Sequence, residues 1–133
     1  MMCQEDNSAM DEFFKNYTAA FDALDPNAIA DLYRFPCAIS DADGVQAYTD
    51  KSALIAKFSA NSETMKNFGY IHAQFHILST QLLSQNEVVV NVGWRIKTTQ
   101  NHIDFRTLYI CHQVNHSWLI FSANVYQGSF GKL

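Results

Sequence analysis

Apolar residues recur every three or four positions up to about residue 68, and every second position from Tyr70 onward. A helix repeats every 3.6 residues and a strand every two, so this single change of period splits the chain into a helical half and a stranded half. Helices and strands segregated in this way give an α+β fold, with the helices covering one face of a sheet. Short polar turns between long strands make that sheet an antiparallel meander. The expectation is three N-terminal helices packed into the hollow of a cone-shaped, curved antiparallel sheet.

Asn7 or Ser8 is suited to cap the first helix, with Asp11 and Glu12 in its first turn. Met10, Phe13, Phe14, Tyr17, Phe21 and Leu24 follow along one face. Asp25-Pro26 starts a second, short helix with Ile29, Leu32 and Tyr33 facing inward, and Phe35-Pro36 ends it. Cys37 to Ser40 reads as a short extended piece, and Asp43-Gly44 as a turn. Thr49 or Asp50 caps a third helix carrying Leu54, Ile55, Phe58 and Met65, which stops at Asn67-Phe68-Gly69. Strands are expected at 70–83, 87–98, 103–114 and 117–127, turning at Gln85-Asn86, Gln100-Asn101 and Asn115-His116.

A two-residue turn at Asn115-His116 pairs His112 with Leu119, Ile110 with Phe121, Leu108 with Ala123 and Arg106 with Val125. That apolar face is expected to hold the helices. The other face carries Phe105, Thr107, Tyr109, Cys111, Ile120, Ser122, Asn124 and Tyr126. It suits a homodimer interface, or cover by a C-terminal tail or long loop. Asn91 and Trp94 lie on opposite faces of the second long strand, and the sequence leaves open which looks inward, because a one-residue slip exchanges the faces. Gly93 is expected to mark a bulge or bend.

The chain has 133 residues, 48% of them hydrophobic, which suits a single domain over residues 1–133 with ample core. A net charge of −4 without a Lys/Arg cluster argues against a nucleic-acid partner. No apolar run approaches the roughly 20 residues that span a bilayer, and the acidic start lacks a signal-peptide pattern, so no membrane partner is expected. Cys3, Cys37 and Cys111 are odd in number and widely spaced, which disfavours a disulfide framework or zinc site and fits a reducing cytoplasm. His72 and His76 would chelate one metal on a helix, but on a strand they stand about 13 Å apart. His112 and His116 flank a turn and read as solvated. With no glycine-rich phosphate loop and no nucleophile elbow either, no cofactor or metal is expected.

Tyr17-Thr18-Ala19-Ala20-Phe21-Asp22-Ala23-Leu24-Asp25-Pro26 resembles the first helix and turn of the nuclear transport factor 2-like superfamily. Ala28-Ile29-Ala30-Asp31-Leu32-Tyr33 is similar to its second helix, and Ser117-Trp118-Leu119-Ile120 to the start of the last strand in SnoaL-like members. The resemblance covers about residues 8 to 127 and implies the fold; the superfold hosts isomerases, dehydratases, hydrolases and binding modules. In its ketosteroid isomerases a first-helix tyrosine helps form an oxyanion hole, and an aspartate after the short strand is the general base. Tyr17 and Asp41 fall on those positions, while Ile110 falls where the pattern needs a protonated carboxylic acid. Tyr17 also reads as a core tyrosine bonded to a backbone carbonyl, and Asp41 as a turn residue. The resulting expectation is a small-molecule cavity lined by Tyr17, Phe21, Tyr33, Phe58, Trp94, Arg106, Ile110 and Phe121. Asp41 and Tyr17 are its candidate catalytic pair.

Overall fold

The computed structural model describes residues 4–131. Its helices are α1 (Gln4–Asp22), α2 (Pro26–Ala30) and α3 (Lys51–Asn67). Its strands are β1 (Tyr33–Asp41), β2 (Gly44–Tyr48), β3 (Tyr70–Ser84), β4 (Glu87–Thr98), β5 (His102–Val114) and β6 (Ser117–Tyr126). They form one curved sheet in the order β2-β1-β6-β5-β4-β3. The fold is the expected α+β arrangement with one amendment: β1 runs parallel to β6, so the sheet is not wholly antiparallel. No helix among the described residues is long and apolar enough to cross a membrane. Cys3 lies outside the described residues.

Local chemistry accounts for most boundaries. The Asp25 carboxylate accepts from the N–H groups of Asn27 (3.1 Å) and Ala28 (3.2 Å), with Pro26 at the first helical position. Asp50 caps α3 by accepting from the Ala53 N–H at 2.9 Å. Gly69, with φ +77°, takes the left-handed conformation after α3. Asn115 and His116 both have positive φ (51° and 67°), as the tightest hairpin turn requires.

Three boundaries differ from expectation. α1 is already running at Gln4, so Asn7 and Ser8 lie inside it rather than ahead of it. α2 stops at Ala30, so Tyr33 and the Phe35-Pro36 pair belong to β1. The β1–β6 ladder breaks between Tyr33 and Ala38, which accommodates Pro36, a residue with no N–H to donate. The short extended piece is the start of a hairpin, with β2 folding back through the Asp43-Gly44 turn.

The register of the last hairpin decides which face is the core. His112 pairs with Leu119 and Cys111 with Ile120, but Ile110 then pairs with Ser122, leaving Phe121 as an extra residue. Thr107, Tyr109 and Cys111 of β5 are buried, with Ile120 and Ala123 of β6. The helices therefore sit on the aromatic and hydroxyl-bearing face, opposite to expectation. Ser122, Asn124 and Tyr126 fall on the outside because the bulge reverses the alternation beyond it. His112 is not a solvated turn residue: its ring stacks on Phe121 at 4.7 Å, bonds Arg34 at 3.2 Å and lies 3.4 Å from Glu87. On β4, Trp94 looks inward, and Asn91 looks outward to accept a 2.6 Å hydrogen bond from the Tyr126 hydroxyl.

Gly93 is not a bulge; its pairing with His76 and Arg106 is unbroken. The reason for glycine is the segment 127–131, which crosses the outer face. A Cβ at Gly93 would lie 2.1 Å from the Phe130 carbonyl oxygen. Arg106 donates to the Ser129 carbonyl (2.9 Å) and lies 3.2 Å from its hydroxyl, while the Arg95 guanidinium sits 4.9 Å from the centre of the Phe130 ring. Replacing Gly93 by alanine must lift this segment off the sheet. The expected result is a loss of about 1–3 kcal/mol in stability, with faster carboxypeptidase trimming of the C-terminal residues. Equal melting and trimming for both proteins would remove this account of Gly93.

Candidate functional site

Between the helices and the sheet lies a cavity of about 190 Å³. Helical spacing on α1 brings in Tyr17 and Phe21, and the two-residue period of β5 brings in Phe105, Thr107 and Tyr109. Tyr33 of β1, Phe58 of α3 and Trp94 of β4 complete an aromatic wall. The charged groups among the lining residues are Asp41, at the end of β1, and Lys57 of α3.

The deep part holds a cluster of buried polar groups. The Trp94 indole N–H donates to the Tyr109 hydroxyl at 3.0 Å. The hydroxyls of Tyr17 and Tyr33 are 2.8 Å apart. Burial is the main cause that pushes all three phenols well above the ordinary tyrosine range. Tyr17 and Thr107 are further hydrogen-bond partners of Tyr109. A run from Tyr33 through Tyr17 and Tyr109 to the buried Thr107 hydroxyl, joined by the Trp94 N–H, places each phenol and indole hydrogen on a neighbour within the cluster.

The rim carries an ion pair. Lys57 Nζ lies 2.9 Å from Asp41 and 3.5 Å from Asp43, and the Lys57 side chain is only 10% exposed. The other Asp41 oxygen accepts from the Asp43 N–H at 3.0 Å. Burial works to lower the Lys57 pKa, but the hydrogen bond and charge of Asp41 outweigh it, and the net shift is upward. Lys57 was missed in the sequence, although a signal exists: Leu54, Lys57, Phe58, Asn61 and Met65 share one helical stripe, and the lysine stands among inward-facing positions.

Of the residues expected at the cavity, the fold brings together Tyr17, Phe21, Tyr33, Phe58, Trp94 and Asp41. It does not bring Arg106, Ile110 or Phe121, which stand on the outer face because the inward alternation runs through Thr107 and Tyr109. Tyr17 bonds a tyrosine hydroxyl rather than a backbone carbonyl. Among the described residues no group of His, Cys, Asp and Glu is placed to hold a metal ion. Burial pushes the thiols of Cys37 and Cys111 up to about 11 and about 12, so neither is a ready nucleophile.

Residues 5–128 match the family described as NTF2-like protein (DUF6841). No curated protein matches the sequence. Among solved structures, the chain is similar to an NTF-2 like protein of unknown function from Shewanella oneidensis, with TM-score 0.75, 15% identity, and 90% of this chain and 97% of that one covered. A domain of unknown function with a cystatin-like fold from Nostoc punctiforme gives TM-score 0.78 at 13% identity, over 96% of this chain and 80% of that one. A ketosteroid isomerase-like protein from Erwinia carotovora atroseptica gives 0.73 at 14% identity, over 92% and 96%. At these identities the likeness is one of fold.

The buried phenols set the alkaline behaviour. Their folded-state pKa values lie above the unfolded ones, so their contribution is fully present below the ordinary tyrosine value and is lost as pH rises past it. These three groups alone give a fall of about 4 kcal/mol per pH unit above about pH 10, and Tyr70 and Tyr48, both raised chiefly by burial, add to it. Urea titrations at several alkaline pH values, followed by tyrosinate absorbance, should show these phenols ionising together with unfolding. Removing one phenol by Tyr17→Phe should reduce the slope by about 1.4 kcal/mol per pH unit. Smooth ionisation of every tyrosine in the folded protein would contradict the burial described.

Proposed function

The chain belongs to the NTF2-like family, and we propose that it works as a single domain binding a small apolar or mildly polar molecule in the cavity between helices and sheet. The observation that carries this reading is the pairing of an aromatic wall with a cluster of buried hydroxyls at its base. A guest with an apolar body would displace water from the rings, and a polar oxygen on it would join the hydroxyl cluster. Ligand that binds only the folded state adds about 2.7 kcal/mol of stability at a hundredfold excess over Kd. Thermal shifts with neutral aromatic ketones and phenols are therefore expected to be positive. Tyr17→Phe should weaken binding about fivefold to tenfold, the worth of one hydrogen bond, and Phe58→Trp, which fills the space, should abolish it. A screen in which no such compound shifts the melt, or in which Phe58→Trp binds as well as the native chain, would sink the proposal.

A proton-transfer reading, isomerase or dehydratase in type, rests on a specific observation: Tyr17 and Asp41 line the same cavity. In it Asp41 takes the proton and the phenol cluster meets the developing oxyanion. The inward positions of β5 are Phe105, Thr107 and Tyr109, so the protonated carboxylic acid of the ketosteroid isomerase pattern has no counterpart there. Asp41→Asn is expected to fold and to remove turnover of any substrate found; undiminished turnover would end this reading. Self-association belongs to the same set of proposals, through the outer face around Leu108, Ile110, Leu119 and Phe121, which are only partly buried within the chain. A monomer by light scattering at micromolar concentration would count against it.

A further inference from the structure

A second hollow, of about 210 Å³, lies between β2 and α3. It is not separate from the first: Ile39, Asp41, Lys57 and Asn61 line both. The two differ in chemistry. The first is walled by rings, whereas the second is bordered by Asp43, Gln46 and Tyr48 together with the shared ion pair. From this we infer that the two hollows form one bipartite site for an amphiphile: an apolar body among the rings and a hydrogen-bond-donating head, free of negative charge, beside Asp41 and Asp43. The inference rests on the cavity-binding reading above and assigns its ligand class.

Charge selects the head. Asp41, Asp43 and Lys57 together carry one net negative charge, and Lys57 is already engaged by both carboxylates. A carboxylate or phosphate head would have to displace one of them, or sit beside two like charges with Lys57, the one cation among the described lining residues, already occupied. An amine or hydroxyl head instead finds open acceptor capacity. The Asp41 carboxylate receives Lys57 and the Asp43 N–H, two of about four lone-pair sites. Asp43 is 79% exposed and reaches Lys57 only at 3.5 Å. The Asn61 amide, which borders both hollows, has no hydrogen bond to another described residue.

The other end makes a different demand. The base of the ring-lined cavity is an apolar wall around a hydroxyl cluster, whereas the rim has oxygens to receive. A guest that lies along both hollows is therefore polarised, with its ring deep and its donors at the mouth. Phosphate, carboxylate and sulfonate amphiphiles are the class the site rejects.

Three probes of one ring size separate the possibilities: 4-ethylphenol, tyramine and 3-(4-hydroxyphenyl)propanoate, which differ at the head as neutral, cationic and anionic. Titration calorimetry on the full chain should give tyramine binding about tenfold tighter than the propanoate, with ethylphenol between them. Asp43→Asn removes one carboxylate from the rim without touching the ring-lined cavity, and should shrink that ratio to about threefold or less. Equal affinities for all three probes in the native chain would overturn the bipartite site and leave the apolar cavity standing. Tightest binding of the propanoate would overturn it in favour of Lys57 as an anion anchor. Failure of all three probes on folded protein would overturn both readings together.

Discussion

Phe14 packs at a tilt against Tyr109 with ring centroids 4.8 Å apart, and its edge meets Trp94 at 6.5 Å. With a further contact to Phe75, they hold α1 against β3, β4 and β5, and Met10, Phe13 and Tyr17 extend the same buried stripe. The sheet answers with Val88, Val90, Val92 and Trp94 of β4, none of them more than 2% exposed. Close packing here fixes the height of the helix above the strands. Further along, Phe21 of α1 and Tyr33 of β1 pack on Tyr17, and both meet Phe58 of α3, but among the described residues none of these three rings packs on a ring of β4 or β5 as Phe14 does. The cavity is the space that remains between them and the inner face of β5 and β6.

Stability alone does not explain what lines that space. A well-packed core would be served better by Phe than by Tyr at three adjacent positions, because each hydroxyl must recover its lost hydration from a neighbour. Here that recovery has to come from within the cluster, through Trp94, Thr107 and the three phenols themselves. The Asp41–Lys57 pair poses the same question, since a largely buried ion pair is often no better than apolar residues of equal size. Both features are intelligible as means of recognition rather than of folding, and they stand at opposite ends of one cavity.

Much of the fold was legible because its signals are local. The limits of the four long strands, the Asp25 and Asp50 caps, Gly69 and the Asn115-His116 turn depend on neighbours in sequence, and each was placed within a residue or two. The β2 strand was not, because four of its five residues are exposed and an edge strand open on both faces has no alternation to detect. The hairpin began in the expected register, with His112 opposite Leu119, and lost it at Phe121. A bulge has no reliable local signature, yet it reverses every face beyond it. The inner face of β5 was misassigned for a different reason. Thr107, Tyr109 and Cys111 read as less apolar than Leu108 and Ile110, and only the contacts with Trp94 and Tyr17 show that those polar atoms sit in a core. Arg106, Ile110 and Phe121 left the site with that face, whereas Tyr17, Phe21 and Phe58 kept their places because the helical stripe alone positions them.

The division of labour between elements follows from the topology. Asp41 ends β1 just past the point where the parallel pairing with β6 stops at Ser40 and Asn124, so its carboxylate emerges at the rim and not within the ladder. Lys57 comes from the helical layer. Their contact therefore ties α3 to the tip of the β1–β2 hairpin, across the two hollows and far from the packing of α1 on β4 and β5. Residues at the mouth have solvent on one side and neighbours that adjust, whereas residues under Phe14 are held on every side. Changes at Asp43, Gln46 or Asn61 accordingly alter what the site accepts at little cost to the fold. In a scaffold that serves many chemistries, that is where the character of an individual member is set.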